Sequence, residues 1–322
     1  MKLRDNRSVS VIAKSQKIKT KMSKLTVAHP HVLYAEQKLA ELLRKCHVDS
    51  QGMLLSADTG MGKTTFAQAV VKYLSKGVKN TPTADKRSVI FIDSPHLLSR
   101  SGLAIAILTE LGDKSPTKGT NGEKVLRIAN YCKRQGVQLI IIDEIHDFFP
   151  QKVDRDTPTV TFLKKLMNAT KVAYLFMGTK KAKTLISNHL EVASRVEERI
   201  EFPAFRYGPT LSSKHEFALI VNAYARTLNE AGSKLVFICK EGDKAILKEE
   251  QLLQSIFLAT NGNLRSLRNL FQRLVDRVLD GHEPTKAEFA DAWSPAMNAK
   301  LKFNPFGQNN SRKVSNLIKK AA

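Results

Sequence analysis

The most constraining feature of this chain is the stretch MLLSADTGMGKTT at residues 53–65. A short apolar run leads into a loop with Gly60 and Gly62, and apolar residues recur at helical spacing after Lys63 and Thr64. A strand, a glycine loop and a helix in this order direct backbone N–H groups and a helix N-terminus at one phosphate group. The stretch therefore predicts a phosphate-binding P-loop, although Ala57 stands where the usual pattern has a further glycine.

This P-loop predicts a nucleotide-binding segment in which Lys63 reaches the β- and γ-phosphates and the Thr64 hydroxyl ligates Mg²⁺. The alternative is a glycine-rich turn with a solvated lysine, which would bind no nucleotide. The predicted nucleotide-binding residues are Ala57, Asp58, Thr59, Gly60, Met61, Gly62, Lys63, Thr64 and Thr65.

Two carboxylates end the apolar stretch LIIIDE at residues 139–144. Consecutive apolar residues are typical of a strand buried on both faces, and ligands of open parallel sheets bind where such strands end. We expect Asp143 to hold Mg²⁺ and Glu144 to orient and polarise the water that attacks the γ-phosphate. The alternative is a strand that ends in a solvated acidic turn. The presence of both carboxylates favours hydrolysis over nucleotide storage.

The stretch VAYLFMGT at residues 172–179 predicts a third strand. If this strand lies between the other two, the Thr179 hydroxyl lies beside the γ-phosphate and can sense it. The alternative is a threonine in an ordinary turn. The following residues lack the N-K-x-D pattern expected of a GTPase, and this favours ATP as the nucleotide.

The stretch VASRVEERIEF holds two arginines that lead into a further strand, Arg195 and Arg199. An arginine at this place can project into a neighbouring subunit as a finger on its γ-phosphate. The sequence does not decide which of the two would act. The alternative is that both form surface ion pairs with Glu197 and Glu198.

The stretch NGNLRSLRNL begins a helix that carries Arg265 one turn in and Arg268 three residues later. A helix of a lid domain aimed at the nucleotide would use Arg265 to contact the γ-phosphate. A solvated basic helix face is the alternative.

Alternation of strand and helix patterns predicts an α/β fold with a parallel sheet sandwiched by helices. From about residue 209 the strand pattern largely stops, and four helical patterns predict a small all-helical lid; LVFICK between the first two is either a strand or an extension. The predicted organisation is a basic flexible arm (1–27), a nucleotide-binding α/β domain (28–208), a helical lid (209–295) and a basic tail (296–322).

The formal net charge of +22 implies a polyanionic partner, with nucleic acid as the first candidate. Residues 1–24 and 300–322 together carry 13 of these net charges, so the rest lies in the body of the chain. The alternative is that the terminal segments only solubilise the protein. No apolar run is long enough for a transmembrane helix, so no membrane partner is expected. Three widely spaced cysteines are typical of a reducing cytoplasm.

Together these motifs resemble an AAA+ ATPase. Within that superfamily their order resembles the TnsC/TniB group, the ATP-dependent target selectors of transposons, to which the phage Mu B protein is related. The stretches that carry the resemblance lie between about residues 28 and 292: HPHVLYAEQKLAELL, SADTGMGKT, LIIIDEIHDF, YLFMGTKKA and ASRVEERI. The short chain is similar to the compact form found in CRISPR-associated transposons.

The resemblance implies an ATP-bound homo-oligomer, as a ring, spiral or filament around double-stranded DNA, in the bacterial cytoplasm. It also implies a transposase and a targeting adaptor of the TniQ or TnsD type as partners. The DNA-tracking residues it implies follow the second strand and are Arg100, Lys114, Lys118 and Thr120. An ordinary solvated loop is the alternative for this segment.

Two other functions are compatible with the same motifs. Replication initiators and helicase loaders are ATPases of the same superfamily. A non-hydrolysing nucleotide switch that serves as a nucleic-acid-binding scaffold belongs to a different class, and the Asp143–Glu144 pair speaks against it.

Overall fold

The computed structural model describes residues 7–27, 29–76, 86–93, 99–149, 158–208, 210–241 and 244–321. The chain divides into two units, which are named here the sheet unit and the helical unit. The sheet unit comprises Ala28–Thr59 and Lys63–Pro203, and the helical unit comprises Met1–Val27, Gly60–Gly62 and Ala204–Ala322.

Five parallel strands form the centre of the sheet unit. They are β1 (Gly52–Ala57), β2 (Val89–Ile92), β3 (Leu139–Ile142), β4 (Ala173–Gly178) and β5 (Glu198–Phe202). Their order is β2-β3-β4-β1-β5, so β4 lies between β3 and β1, and the condition stated for Thr179 is met. Every residue of β1, β3 and β4 is buried, because parallel sheets carry helices on both faces.

Helices precede and connect these strands, and the sequence of one of them contains clear capping residues. The helices of the sheet unit are α2 (Pro30–Arg44), α3 (Lys63–Leu74), α4 (Arg100–Glu110), α5 (Asn121–Gln135), α6 (Pro158–Thr170), α7 (Lys180–Ser187) and α8 (Leu190–Ala193). In α5, Thr120 and Glu123 form a capping box, and Gly136 ends the helix in the left-handed conformation (φ 75°). The predicted α/β class with a parallel sheet is confirmed.

The helical unit contains six of the described helices and one short ribbon. Its helices are α1 (Val9–Ser23), α9 (Leu211–Asn229), α10 (Glu250–Thr260), α11 (Leu264–Leu279), α12 (Lys286–Ala292) and α13 (Ser311–Ala321). The strands β6 (Ile238–Glu241) and β7 (Lys244–Leu247) pair antiparallel. The lid is therefore mainly helical, and the open alternative for LVFICK is decided in favour of a strand.

The described part of the predicted flexible arm is a helix, and this corrects the sequence-based expectation. Ser15, Ile18 and Met22 of α1 are buried. α1 packs against α9 and α11. Gln272 of α11 donates to the carbonyl of Lys19 at 2.8 Å. The helix is ordered because this buried stripe and the hydrogen bonds hold it within the helical unit.

The predicted basic tail is likewise folded over most of its described length. Helix α13 packs against α10, with Val314 and Ile318 buried. Phe306 stacks on Phe289 of α12 at a ring-centroid distance of 5.4 Å. Apolar side chains of this segment thus belong to the core of the helical unit. In the part of the chain that the structure describes, no helix is long and apolar enough to cross a membrane.

Candidate nucleotide site

The carboxyl ends of three neighbouring strands place the predicted catalytic residues at one edge of the sheet. The P-loop follows β1, Asp143 and Glu144 follow β3, and Thr179 follows β4. Since β3, β4 and β1 are adjacent and parallel, their ends lie side by side. This edge is where open α/β sheets bind ligands.

Lys63 is the first residue of α3 and only 6% exposed. Its ammonium group donates to the carbonyl of Ala57 at 2.8 Å. Gly60 and Gly62 have φ of 87° and 90°, a backbone region that glycine occupies without strain. A buried cation beside a helix N-terminus is an arrangement that attracts phosphate.

Thr64 and Asp143 lie in direct contact. The Thr64 hydroxyl donates to Oδ2 of Asp143 at 3.1 Å, and Asp143 is 4% exposed. The other oxygen of Asp143 accepts the backbone N–H of Glu144 at 2.8 Å. A hydroxyl and a carboxylate form an oxygen donor set of the kind that Mg²⁺ takes, so these two residues fit the predicted cation.

Glu144 has a left-handed backbone, with φ 48° and ψ 40°. A non-glycine residue in this region costs on the order of 1 kcal/mol, and such strain is concentrated at functional sites. Its Oε2 atom is buried without a hydrogen-bond partner among the described residues. Glu144 therefore combines a strained backbone with a carboxylate oxygen that is buried and has no hydrogen bond among the described residues.

Thr179 stands at the N-cap position of α7, but its hydroxyl makes no capping bond. Its Oγ1 atom is buried and also lacks a hydrogen-bond partner within the described ranges. Buried polar atoms are nearly always paired in folded proteins. Unpaired oxygens on Glu144 and Thr179, at adjacent strand ends, indicate a site that a polar ligand would complete.

Two residues at this edge were missed by the sequence analysis. His146 places Nδ1 3.2 Å from Oε2 of Glu144. Lys180 lies 3.7 Å from the Asp58 carboxylate and 3.0 Å from that of Glu201. Hydrogen bonding to Glu201, and next the charge of Asp58, raise the pKa of Lys180. The sequence signal for them is their position: His146 comes two residues after Glu144, and Lys180 comes directly after Thr179.

Arg195 lies away from the P-loop of its own chain. Its carbonyl accepts the N–H of Gly52 at 2.7 Å, at the start of β1, whereas the P-loop follows the end of that strand. Its guanidinium donates to Asn168 at 3.2 Å. A role in its own nucleotide site is therefore excluded by position, and a role in a neighbouring subunit stays a prediction.

Arg199 lies on β5, and its guanidinium donates to the hydroxyl of Ser187 at 2.7 Å. Among the described residues, neither Arg195 nor Arg199 forms an ion pair with Glu197 or Glu198. The alternative of surface ion pairs is thus not what the structure shows.

Arg265 occupies the first turn of α11 and is exposed. Its backbone N–H donates to the carbonyl of Gly60 at 3.0 Å, within the helical unit. Asn263 caps α11 by accepting the N–H groups of Arg265 and Ser266. A Cβ added to Gly60 would lie 2.8 Å from Cβ of Arg265, so this glycine is required by close approach as well as by its backbone angle.

The segment predicted to track DNA is ordered by hydrogen bonds. Arg127 donates to the carbonyls of Ser115 and Lys118 at 3.2 and 2.8 Å. Lys124 donates to Ser101 at 3.0 Å and so joins the start of α5 to the start of α4. These hydrogen bonds hold the segment between α4 and α5 in a defined conformation.

The four predicted DNA-tracking residues differ in whether their side chains are free to contact a ligand. Arg100, Lys114 and Lys118 are exposed and have no ion pair in the described ranges. The Thr120 hydroxyl is engaged in the capping box of α5. Three cations near two helix starts thus remain open to solvent, while the hydroxyl serves the helix.

His29 precedes α2 and is 8% exposed. Its ring packs edge-on against Phe202 at 5.9 Å, and Phe202 packs in the same way against Phe66 of α3 at 5.8 Å. Burial, with a contribution from the charge of His31, lowers the pKa of His29 to about 4. The histidine is therefore a neutral core residue at neutral pH.

The fold and these strand-end residues define the AAA+ class of P-loop proteins. A family model described as the bacterial TniB protein matches residues 17–206, more than half of the chain. The chain belongs to the TniB family, and the predicted resemblance is confirmed. No curated protein matches the sequence.

Several solved structures of ORC proteins have a similar fold. The Aeropyrum pernix ORC2 protein in ADPNP and ADP complexes has a TM-score of 0.57 and 12% identity over 84% of this chain and 68% of that chain. The Aeropyrum pernix ORC1 protein in complex with DNA has a TM-score of 0.56 and 19% identity, over 85% and 67%. The Drosophila ORC bound to DNA has a TM-score of 0.53 and 13% identity, over 93% and 71%.

Proposed function

We propose that this protein is an ATP-dependent, DNA-binding regulator of transposition in the bacterial cytoplasm. It oligomerises on target duplex DNA, recruits or activates a transposase together with a targeting adaptor of the TniQ or TnsD type, and disassembles when ATP is hydrolysed. The observation that carries the proposal is the contact of Thr64 with Asp143, beside Glu144, in a chain of the TniB family.

The chain's own residues divide the work of hydrolysis. Lys63 and the loop amides bind the phosphates, and Glu144 orients and polarises the attacking water. Thr179 and Arg265 report the γ-phosphate, and Arg195 or Arg199 completes the site of the neighbouring subunit. Thr64 and Asp143 would hold Mg²⁺, which when bound neutralises charge on the phosphates.

Binding to duplex DNA is supported by the net charge of +22 and by the exposed cations Arg100, Lys114 and Lys118. Contacts from lysine and arginine to phosphates carry affinity without base readout. Two of the structurally similar proteins are themselves described with DNA, and one with ADPNP and ADP. The expected DNA affinity is therefore independent of sequence and falls with salt.

The likeness to ORC proteins favours a second candidate, a replication initiator or helicase loader. Affinity capture with the full chain separates the two proposals. Recovery of a transposase supports the first and recovery of a helicase supports the second. A non-hydrolysing scaffold, the third candidate, requires that ATP turnover is absent even with DNA.

Two variants of the full chain test the proposed function. Lys63→Ala is expected to abolish nucleotide-dependent DNA binding, because the phosphates lose their cation. Glu144→Gln is expected to trap a DNA-bound oligomer, because it binds ATP without hydrolysing it. Negative-stain imaging with duplex DNA and ATP for Glu144→Gln, and with a non-hydrolysable analogue for the native chain, should show rings, spirals or filaments. Dispersed particles in both experiments would contradict the proposal.

A further inference from the structure

His146 lies in the three-residue turn Ile145–Asp147 that follows Glu144. Its side chain is 19% exposed, and Nδ1 lies 3.2 Å from Oε2 of Glu144. The two atoms are within hydrogen-bond distance but not aligned as a hydrogen bond. Both atoms are buried, and neither has another partner among the described residues. A ring nitrogen and a carboxylate oxygen are thus held next to each other, and neither makes a hydrogen bond among the described residues.

The imidazole also touches the end of β4, the strand that Thr179 follows. A Cβ added to Gly178 would lie 3.2 Å from Nδ1 of His146 and 2.9 Å from Cβ of Ala182. Only the absence of a side chain at Gly178 lets the ring lie against the end of β4. Nδ1 of His146 is therefore close both to the Glu144 carboxylate and to the end of β4, which Thr179 follows.

A carboxylate that activates water needs a fixed direction as well as a free oxygen. The Glu144 side chain has several rotatable bonds, and a misplacement of about 1 Å in a catalytic group can cost roughly 100-fold in rate. In the tautomer with its proton on Nδ1, His146 supplies a donor directed at Oε2. Catalytic hydrogen bonds are often poorly aligned without substrate and tighten in the complex.

We infer that His146 is a positioning residue, which holds the Glu144 carboxylate against the end of β4 so that Glu144 and Thr179 face the same water. The inference rests on the proposed ATP hydrolysis. It assigns to His146 no contact with nucleotide, so its loss changes turnover and leaves nucleotide affinity in place. A histidine that merely fills space beside Gly178 is the competing explanation.

Three variants of the full chain separate these explanations by shape and by donor. His146→Phe keeps an aromatic ring but loses the N–H donor, His146→Asn loses the ring but keeps an amide N–H near Nδ1, and His146→Ala loses both. ATP turnover with Mg²⁺ and duplex DNA gives kcat and KM. Binding of a fluorescent ATP analogue and thermal unfolding show whether each variant is folded.

The positioning role predicts that kcat falls about 10- to 100-fold in His146→Phe and His146→Ala while KM changes less than about twofold. His146→Asn should recover most of the lost rate. A space-filling role predicts the reverse order, with His146→Phe close to the native chain and His146→Asn impaired. A native rate in a folded His146→Phe variant overturns the inference.

Native turnover is compared first with that of Lys63→Ala. If these two rates are equal, the proposed function fails, whatever His146 does. If the native chain hydrolyses ATP and Lys63→Ala does not, the His146 variants test the positioning role alone. In a Glu144→Gln background, His146→Phe should slow the residual rate no further, because the group it positions has already lost its charge.

Discussion

Two carboxylates of this protein, Asp276 and Glu144, differ in how fully their oxygens are hydrogen-bonded. Asp276 on α11 accepts hydrogen bonds from Arg7 and Ser15 at 2.6 Å and from Lys19. Glu144 in the sheet unit keeps a buried oxygen without a hydrogen bond among the described residues. Both carboxylate oxygens of Asp276 accept hydrogen bonds, and these bonds hold α1 against α11. The Oε2 atom of Glu144 can still accept a hydrogen bond, either from a ligand or from a neighbouring side chain that changes its orientation.

The comparison also separates the two units by their role. Burial opposes ionisation of Asp276, but hydrogen bonds from Lys19, Ser15 and Arg7 outweigh it and lower its pKa. Saturated polar groups stabilise a fold, whereas unsaturated ones weaken it and persist at functional sites. We therefore expect changes at the α1–α11 contact to alter stability and changes at the sheet edge to alter turnover.

The largest expected effect is at Thr179. Thr179→Val removes an unpaired hydroxyl and keeps the shape, so the free energy of unfolding should stay equal or rise by up to about 1 kcal/mol. ATP turnover should fall by about 100-fold, because one preorganised polar group next to the reaction is lost. Steady-state kinetics and urea unfolding of the same sample measure both quantities. A matched Thr109→Val variant, at an exposed hydroxyl on α4, should leave turnover unchanged. Loss of stability together with normal turnover in Thr179→Val would show that Thr179 stabilises the fold and does not serve ATP turnover.

The next effect is at Asp276 and has the opposite signature. Asp276→Ala leaves Arg7 and two donors of α1, Ser15 and Lys19, without their acceptor and should lower the free energy of unfolding by about 2 kcal/mol. ATP turnover should change less than about threefold. Faster hydrogen exchange in α1 would locate the loss. Asp280→Ala, which removes an exposed carboxylate at the end of the same helix, is the control and should have little effect on either. An unchanged exchange rate in α1 would show that Asp276 does not hold that helix.

The smallest effect is a pH dependence at His29. Its pKa in the folded chain, about 4, lies below the ordinary value of 6.5, so folding favours the neutral imidazole. This stabilisation is complete above pH 6.5 and is lost as the pH falls towards 4. Between pH 6.5 and 5.5 it amounts to about 1 kcal/mol in the free energy of unfolding. Asp276 does not contribute in this window, because its stabilisation is lost only below its ordinary pKa.

Replacing the titrating ring separates His29 from the other histidines. His29→Gln should flatten the difference in unfolding free energy between pH 6.5 and 5.5 relative to the native chain. His282→Gln, at an exposed histidine of the helical unit, serves as the control. Equal pH slopes for the native chain and His29→Gln would show that the buried ring is not the source.

The parts of the fold that could be predicted are those with local signals. Apolar runs identified β1, β3 and β4, and Gly136 and the Thr120–Glu123 pair mark the ends of α5. Parallel strands bring their carboxyl ends to one edge, so the motifs were sufficient to place Asp143 and Thr179 at that edge. The position of β4 between β3 and β1, on which the place of Thr179 depends, came from the structure. The chemistry of the site follows from residues whose neighbours are set by topology.

The parts that could not be predicted depend on contacts between distant segments. Lys19 and Asp276 are 257 residues apart, and a lysine-rich segment with only a few apolar residues is typical of a flexible arm. The ordering of α13 likewise depends on packing against α10. The role inferred for His146 depends on its contact with Gly178 at the end of β4, which is 32 residues away in the sequence.

The sequence by itself determined the α/β class, the P-loop and the residues at the strand ends, because backbone periodicity, glycine and paired carboxylates are local properties. Tertiary structure decided which polar groups form hydrogen bonds within the fold and which remain without a partner among the described residues. Whether an acceptor such as Asp276 or Glu144 finds a donor depends on what the fold brings within about 3 Å of it. That distance is set by packing across the whole chain.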